Sequence, residues 1–165
     1  MRILGIDPGY AIVGYGAVDY DKSKFSVIDY GAITTPAGLE CALRLDMIFG
    51  SLCALIDKVK PDAMAVEELF FNTNRTTAIM VAEARGVILL AGKRKGIEIF
   101  EYTPKQVKQA VVGYGQAEKH QVQEMVKMML GLKQVPKPDD TADALAIAIC
   151  HAHCGTSAIR GFYNN

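Results

Sequence analysis

The residues best suited to chemistry in this chain are acids at the ends of apolar runs. Asp7 closes the first such run, within Gly-Ile-Asp-Pro-Gly. Pro8 lacks a backbone donor and Gly9 relieves crowding, so the chain turns sharply and presents the Asp7 carboxylate at a sheet edge. The competing use of such an Asp is a plain Asx-turn before glycine. Glu67 and Glu68 end the run Ala-Met-Ala-Val, and their side chains point to opposite faces, so at most one joins Asp7. A period of two does not say which. Asp140 and Asp143 stand three apart at the start of an apolar helix and share a face. First-turn acids also favour the helix dipole or cap the helix, a role that suits Asp139 or Asp140. Asp143 leads straight into Ala144-Leu145-Ala146-Ile147, and an acid at the edge of a buried face needs a partner, of which a metal ion is one. Carboxylates at adjacent strand ends plus two at a helix start have the makings of a two-cation site. Oxygen ligands without a His/Cys shell point to magnesium or manganese rather than zinc. Such a pair activates water and stabilises the leaving oxygen of an in-line phosphodiester displacement.

The elements that must position these acids follow from periodicity. Residues 2–8 read as a short buried strand, and residues 12–20 and 25–34 as two antiparallel strands joined across residues 21–24. Gly14 and Gly16 inside the second strand signal bending or a close neighbour. Leu45, Ile48, Leu52, Leu55, Ile56 and Val59 recur at helical spacing, which predicts an amphipathic helix over 39–60, stopped by Pro61-Asp62. A strand over 63–69, a helix over 73–95, a strand over 97–102 and a helix over 104–112 follow, the last with proline in its first turn. Val122, Met125, Val126 and Met129 form another apolar stripe, residues 135–138 a proline-rich break, and residues 139–154 a buried final helix. This order, with mixed strand directions, implies an α/β three-layer domain. Without internal repeats or long linkers, one domain over 1–165 is expected.

Composition narrows the class. Half of the 165 residues are hydrophobic and 22% are charged, which is globular rather than disordered. No signal peptide and no bilayer-spanning run is evident, so a soluble, cytoplasmic protein without membrane association is expected. The net charge is zero, yet residues 73–133 hold ten Lys and Arg against five Asp and Glu, and the remainder eight against thirteen. A basic middle beside collected acids suits metal-assisted chemistry on a phosphate backbone. Cys41, Cys53, Cys150 and Cys154 lack disulfide or CxxC spacing and read as small buried hydrophobes. Cys150-His151-Ala152-His153-Cys154 invites a zinc site, but on one helix its histidines diverge from its cysteines. His120 reads as a polar surface residue.

Four segments resemble the RuvC family of Holliday-junction resolvases: ILGIDPGYAIVGYG (3–16), VEELF (66–70), QVKQAVVGYGQAEKHQVQ (106–123) and DTADALAIAI (140–149). They occur in family order, and the resemblance runs from Met1 to about His153. The lysine-bearing segment is the most specific of them, since GIDPG-like strands also occur in other ribonuclease H-like and actin-like proteins.

The resemblance implies a ribonuclease H-like three-layer fold with a mixed five-stranded sheet flanked by helices. It also implies a homodimer that makes paired symmetric nicks in four-way junction DNA during recombination and repair, and coupling to the RuvA and RuvB branch-migration complex. By motif position, the catalytic and metal-binding carboxylates are Asp7, Glu67, Asp140 and Asp143. They imply two Mg2+ per subunit, with Mn2+ as a substitute. This favours Glu67 over Glu68 and leaves Asp139 for capping. Phe70, Lys108 and Lys119 map to DNA-binding positions, Phe70 as a ring for an unpaired base and the lysines as partners for phosphate. Arg75 and Lys105 are further candidates for backbone contact. Two rivals stand beside this reading: a nuclease of the same fold acting on structured RNA, and a non-catalytic junction-binding protein. An actin-like ATPase would need two lobes, for which 165 residues are too few.

Overall fold

Alternation in the first strand decides which way its acid faces. The computed structural model describes residues 1–69 and 75–156, with no side-chain description for 75–77, 155 and 156. In β1 (Arg2–Asp7), Leu4 and Ile6 enter one core, while Ile3 enters the other. Gly5 and Asp7 therefore share the face of Ile3. β2 (Ile12–Asp21) and β3 (Lys24–Thr34) form a hairpin whose turn carries Lys22 and Ser23 at φ 45° and 68°. β4 (Ala63–Glu67) and β5 (Glu98–Tyr102) complete a sheet of order β3-β2-β1-β4-β5. β1 pairs antiparallel with β2, as β2 does with β3, whereas β1, β4 and β5 run parallel.

Helices cover both faces. α1 (Cys41–Val59) and α2 (Arg75–Arg94) lie on the side of Leu4, Ile6, Met64 and Val66. α3 (Pro104–Val112), α4 (Lys119–Met129) and α5 (Asp139–Thr156) lie on the side of Ile3, Ala65 and Tyr102. Local chemistry sets the boundaries. α1 stops at Lys60, which turns left-handed at φ 52° one residue before Pro61. α3 starts from a Thr103–Gln106 capping box with Pro104 in its first turn, and ends at Gly113 with φ 95°. α4 starts from a second box between Glu118 and Gln121.

The expected order of elements is found, with small shifts. The fourth strand stops at Glu67 rather than at residue 69, which leaves Glu68 outside the ladder. The apolar stripe around Val122 is a separate helix, α4. No helix among the described residues is long and apolar enough to cross a membrane.

Candidate active site

Three elements bring the acids to one edge. Asp7 and Glu67 end the adjacent parallel strands β1 and β4, where Ile6 pairs with Val66. Ala65 faces the α5 core and Met64 and Val66 the opposite one, so alternation puts Glu67 on the α5 side with Asp7. That choice, open in the sequence pattern, is fixed by which neighbours face which helix. α5 supplies Asp140 and Asp143 from its first turns. It reaches them by lying almost directly on the backbone of β1 and β2. A Cβ at Gly14, the β2 partner of Asp7, would overlap the carbonyl of Asp140, and one at Gly5 the carbonyl of Ala144. Glycine is required at both positions by this approach. Thr141, fully buried, donates from Oγ1 to the Gly31 carbonyl at 3.1 Å and ties the same turn to β3.

Asp7 lies within the field of the other three carboxylates. Burial, then Glu67, Asp143 and Asp140, push the Asp7 carboxyl up to about 8, against a smaller opposing pull from Lys119. Burial and Asp143 push Glu67 up to about 7, with Lys119 and Lys108 opposing. Burial also raises Asp143, against its hydrogen bond from Lys119. Like charges gathered out of water favour the protonated form, as all three shifts show. Glu68 is absent from each of these interactions.

Two lysines border the cluster. Lys119, the first residue of α4, places Nζ 2.9 Å from Asp143 and 3.7 Å from Asp139. Lys108 comes from α3. Both line a cleft of about 240 Å³ with Glu67 and Asp143, floored by Val107, Val122 and Ala146. Asp139 does not act as the expected cap. It is the first residue of α5, and its carboxylate takes ion pairs from Lys137 at 2.5 Å and from Lys119. Lys105 is exposed on α3; the side chain of Arg75, and Phe70 entirely, lie outside the described residues.

The donor set suits a hard divalent cation. All four side chains offer oxygen, and no hydrogen bond or ion pair to the Asp7 or Glu67 carboxylate is found among the described residues. The arrangement is open rather than closed: among the described residues no three His, Cys, Asp or Glu side chains stand as a metal cage. Asp143 is engaged by Lys119 instead.

The Cys/His run at the end of α5 has other partners. His151 Nδ1 and the Tyr102 hydroxyl lie 2.7 Å apart, and the His151 ring packs on Phe100 with centroids 4.4 Å apart. His153 meets the Ala110 carbonyl at 3.0 Å and the rings of Tyr20 and Phe25. Of the four free cysteines only Cys150 is fully buried, so the expectation of four buried hydrophobes is corrected for Cys41, Cys53 and Cys154. His120 is exposed beside Glu118, as expected. Sequence reasoning did not single out Gly5 or Thr141; a glycine within a buried strand was the available signal for Gly5.

Comparison with known proteins bears on this geometry. Residues 3–151 match the family model described as crossover junction endodeoxyribonuclease RuvC. The chain is 62% identical over 155 residues to a protein of that name from Alkaliphilus metalliredigens, covering 94% of each. A Thermus thermophilus RuvC structure in complex with Holliday junction substrate superposes with a TM-score of 0.89 at 36% identity, over 94% of each chain. The yeast mitochondrial Holliday junction resolvase Ydc2 shares the fold alone, with a TM-score of 0.65 at 15% identity over 92% of this chain and 78% of that one.

Proposed function

Since the chain belongs to the RuvC family of crossover junction endodeoxyribonucleases, we propose that it cuts four-way DNA junctions with Asp7, Glu67, Asp140 and Asp143 as catalytic carboxylates. The fold is ribonuclease H-like, with a mixed five-stranded sheet between helices. One observation carries the site assignment: the ends of β1 and β4 set Asp7 and Glu67 on adjacent strands, and the start of α5 at Asp140 lies directly on Gly14, the β2 partner of Asp7.

The four acids would hold magnesium, two ions per subunit, with manganese as a substitute. Such ions supply an activated water and stabilise the leaving oxygen of the broken phosphodiester. The chain's own residues do the remaining work. The β1 and β4 ends fix Asp7 and Glu67 side by side, and α5 presents Asp140 and Asp143 from above. Lys119 and Lys108 offset phosphate charge as the DNA strand enters the cleft they line. Lys119 then has two acceptors to choose between, Asp143 and the phosphate. Burial and the neighbouring acids raise both Asp7 and Glu67, so each gains from positive charge brought beside it. Phe70 stacks on an unpaired base at the junction centre. The product ends are a 5′-phosphate and a 3′-hydroxyl.

The whole chain, 1–165, acts as one nuclease domain in a homodimer, so that two sites nick symmetrically placed strands. Exposed Leu43 and Met47 on α1, and Ile79 and Leu90 on the adjoining α2, support a face for self-association. The setting is recombination and DNA repair in the cytoplasm, together with RuvA and RuvB. Specificity rests on junction shape more than on base contacts.

The test is cleavage of a labelled synthetic four-way junction with magnesium, beside matched duplex, single-stranded DNA and structured RNA. Paired nicks confined to the junction are expected. Cutting of RNA alone, or junction binding without nicking, would replace the proposal with one of its two rivals.

A further inference from the structure

Two arginines reach the acid-bearing strand ends from the face opposite α5. Arg44, on α1, is only 9% exposed. Its Nε donates to Thr35 Oγ1 at 2.8 Å and an Nη to the Tyr10 carbonyl at 3.3 Å, while its guanidinium carbon sits 3.8 Å from the Tyr10 ring centroid. Thr35 Oγ1 donates to the same carbonyl at 2.8 Å, and the Thr35 N–H to the Ala11 carbonyl at 2.9 Å. Arg44, directly and through Thr35, thus grips the turn that follows Asp7. No carboxylate pairs with Arg44 among the described residues.

A buried cation without a counter-ion is a poor way to stabilise a core. An apolar side chain of similar size would fill the volume at less cost in desolvation. Arg44 is also too buried to meet a DNA phosphate. What a guanidinium offers here is a planar fork that donates to two acceptors while its face lies on a ring.

Arg85, on α2, repeats the pattern one strand over. Its Nε donates at 3.3 Å to the backbone carbonyl of Glu67, and its far end pairs with Glu101 on β5. We infer that Arg44 and Arg85 are positioning residues, which hold the C-terminal ends of β1 and β4 and with them the Asp7 and Glu67 carboxylates. Neither touches the reacting atoms. The inference rests on the reading of those acids as the catalytic site.

The test compares Arg44→Met, Arg44→Lys, Arg85→Met and Arg85→Lys with wild type, with Asp7→Asn and Lys95→Met run alongside. Lys95→Met removes the exposed 2.6 Å pair to Asp57 and controls for loss of charge just past the end of α2. Four quantities are read: kcat and KM for junction cutting, junction Kd without metal, melting temperature, and amide exchange over residues 8–12 and 67–69. The Met variants lower kcat about 10- to 100-fold, the scale of a small misplacement of reacting groups. KM and Kd stay near wild type, and exchange quickens locally. Arg85→Lys recovers most of its loss, because one donor still reaches the Glu67 carbonyl. Arg44→Lys recovers little, because the fork and the ring contact are gone.

If the Met variants do not fold, Thr35→Val removes both hydroxyl contacts of Thr35 and Glu101→Gln removes the charge opposite Arg85, and kcat then falls about three- to tenfold with Kd unchanged. Wild-type kcat in the arginine variants, or in both of those substitutes, while Asp7→Asn is inactive, overturns this inference and leaves the site intact. Normal cutting by Asp7→Asn overturns the site itself.

Discussion

The two faces of the sheet are covered by different means. On one, α5 rests on β1 and β2 so closely that backbone meets backbone at Gly5 and Gly14. On the other, α1 and α2 stand off on a layer of Ile48, Leu52, Ile56 and Ile88 against Leu4, Ile6, Met64 and Val66. The acids belong to the close face, because carboxylates from a strand and from a helix meet only if no side-chain layer separates their backbones. The far face sets stability and, through Arg44 and Arg85, the fixity of the strand ends. The far face has a side-chain layer between sheet and helices; the close face leaves no room for a Cβ at Gly5 or Gly14.

That contrast orders the expected effects. Gly14→Ala comes first: α5 must retreat by its first turn, and junction cutting falls at least about 100-fold. Overpacking costs about 1–3 kcal/mol besides. Wild-type cutting by this variant would mean that the closeness of α5 does not matter to the site. Leu52→Ala, fully buried on the far face, costs about 2–5 kcal/mol in denaturant titration. Its kcat, measured well below the melting temperature, stays at the wild-type value, and a loss of kcat would erase the contrast.

Asp7→Asn has the next largest effect on stability, and its sign is opposite. The folded Asp7 carboxyl titrates near 8, above its ordinary 3.8, so between about pH 4 and 8 the folded state binds more protons than the unfolded one. Metal-free wild type therefore loses stability as pH rises through that window. Asp7→Asn flattens the slope and melts several degrees higher than wild type at pH 8 in chelator, since about 1 kcal/mol shifts a chain of this size by 2–4 °C. Equal melting curves at pH 5 and pH 8 for wild type would contradict the burial of repelling acids. Gly50→Ala is the smallest change. This exposed α1 position has open space for a Cβ, and alanine there adds about 0.5–1 kcal/mol with cutting untouched.

Much of this was legible in the chain itself. Among the described residues, the period-two and helical patterns located the five strands and every helix but α4, which read only as an apolar stripe, and the ends of apolar runs located the acids. Strand alternation alone could not choose between Glu67 and Glu68, because the choice depends on Ala65 facing α5 and Met64 facing α2, which is tertiary information. The glycines of β2 signalled a close neighbour without saying that it was the helix bearing Asp140. Arg44 and Arg85 gave no sequence signal. A basic residue on an amphipathic helix ordinarily reads as solvated surface, and only its burial against a turn carbonyl marks it as something else. Asp139 was misread because a helix-start acid and a lysine partner look alike until Lys137 and Lys119 are in place.

The acid cluster itself is tested most directly by Asp7→Asn, with junction cutting in magnesium and junction binding without metal measured on the same preparation. Cutting lost by at least about 1,000-fold, with Kd within threefold of wild type, is the expected result. Cutting at the normal rate would place the chemistry elsewhere in the molecule.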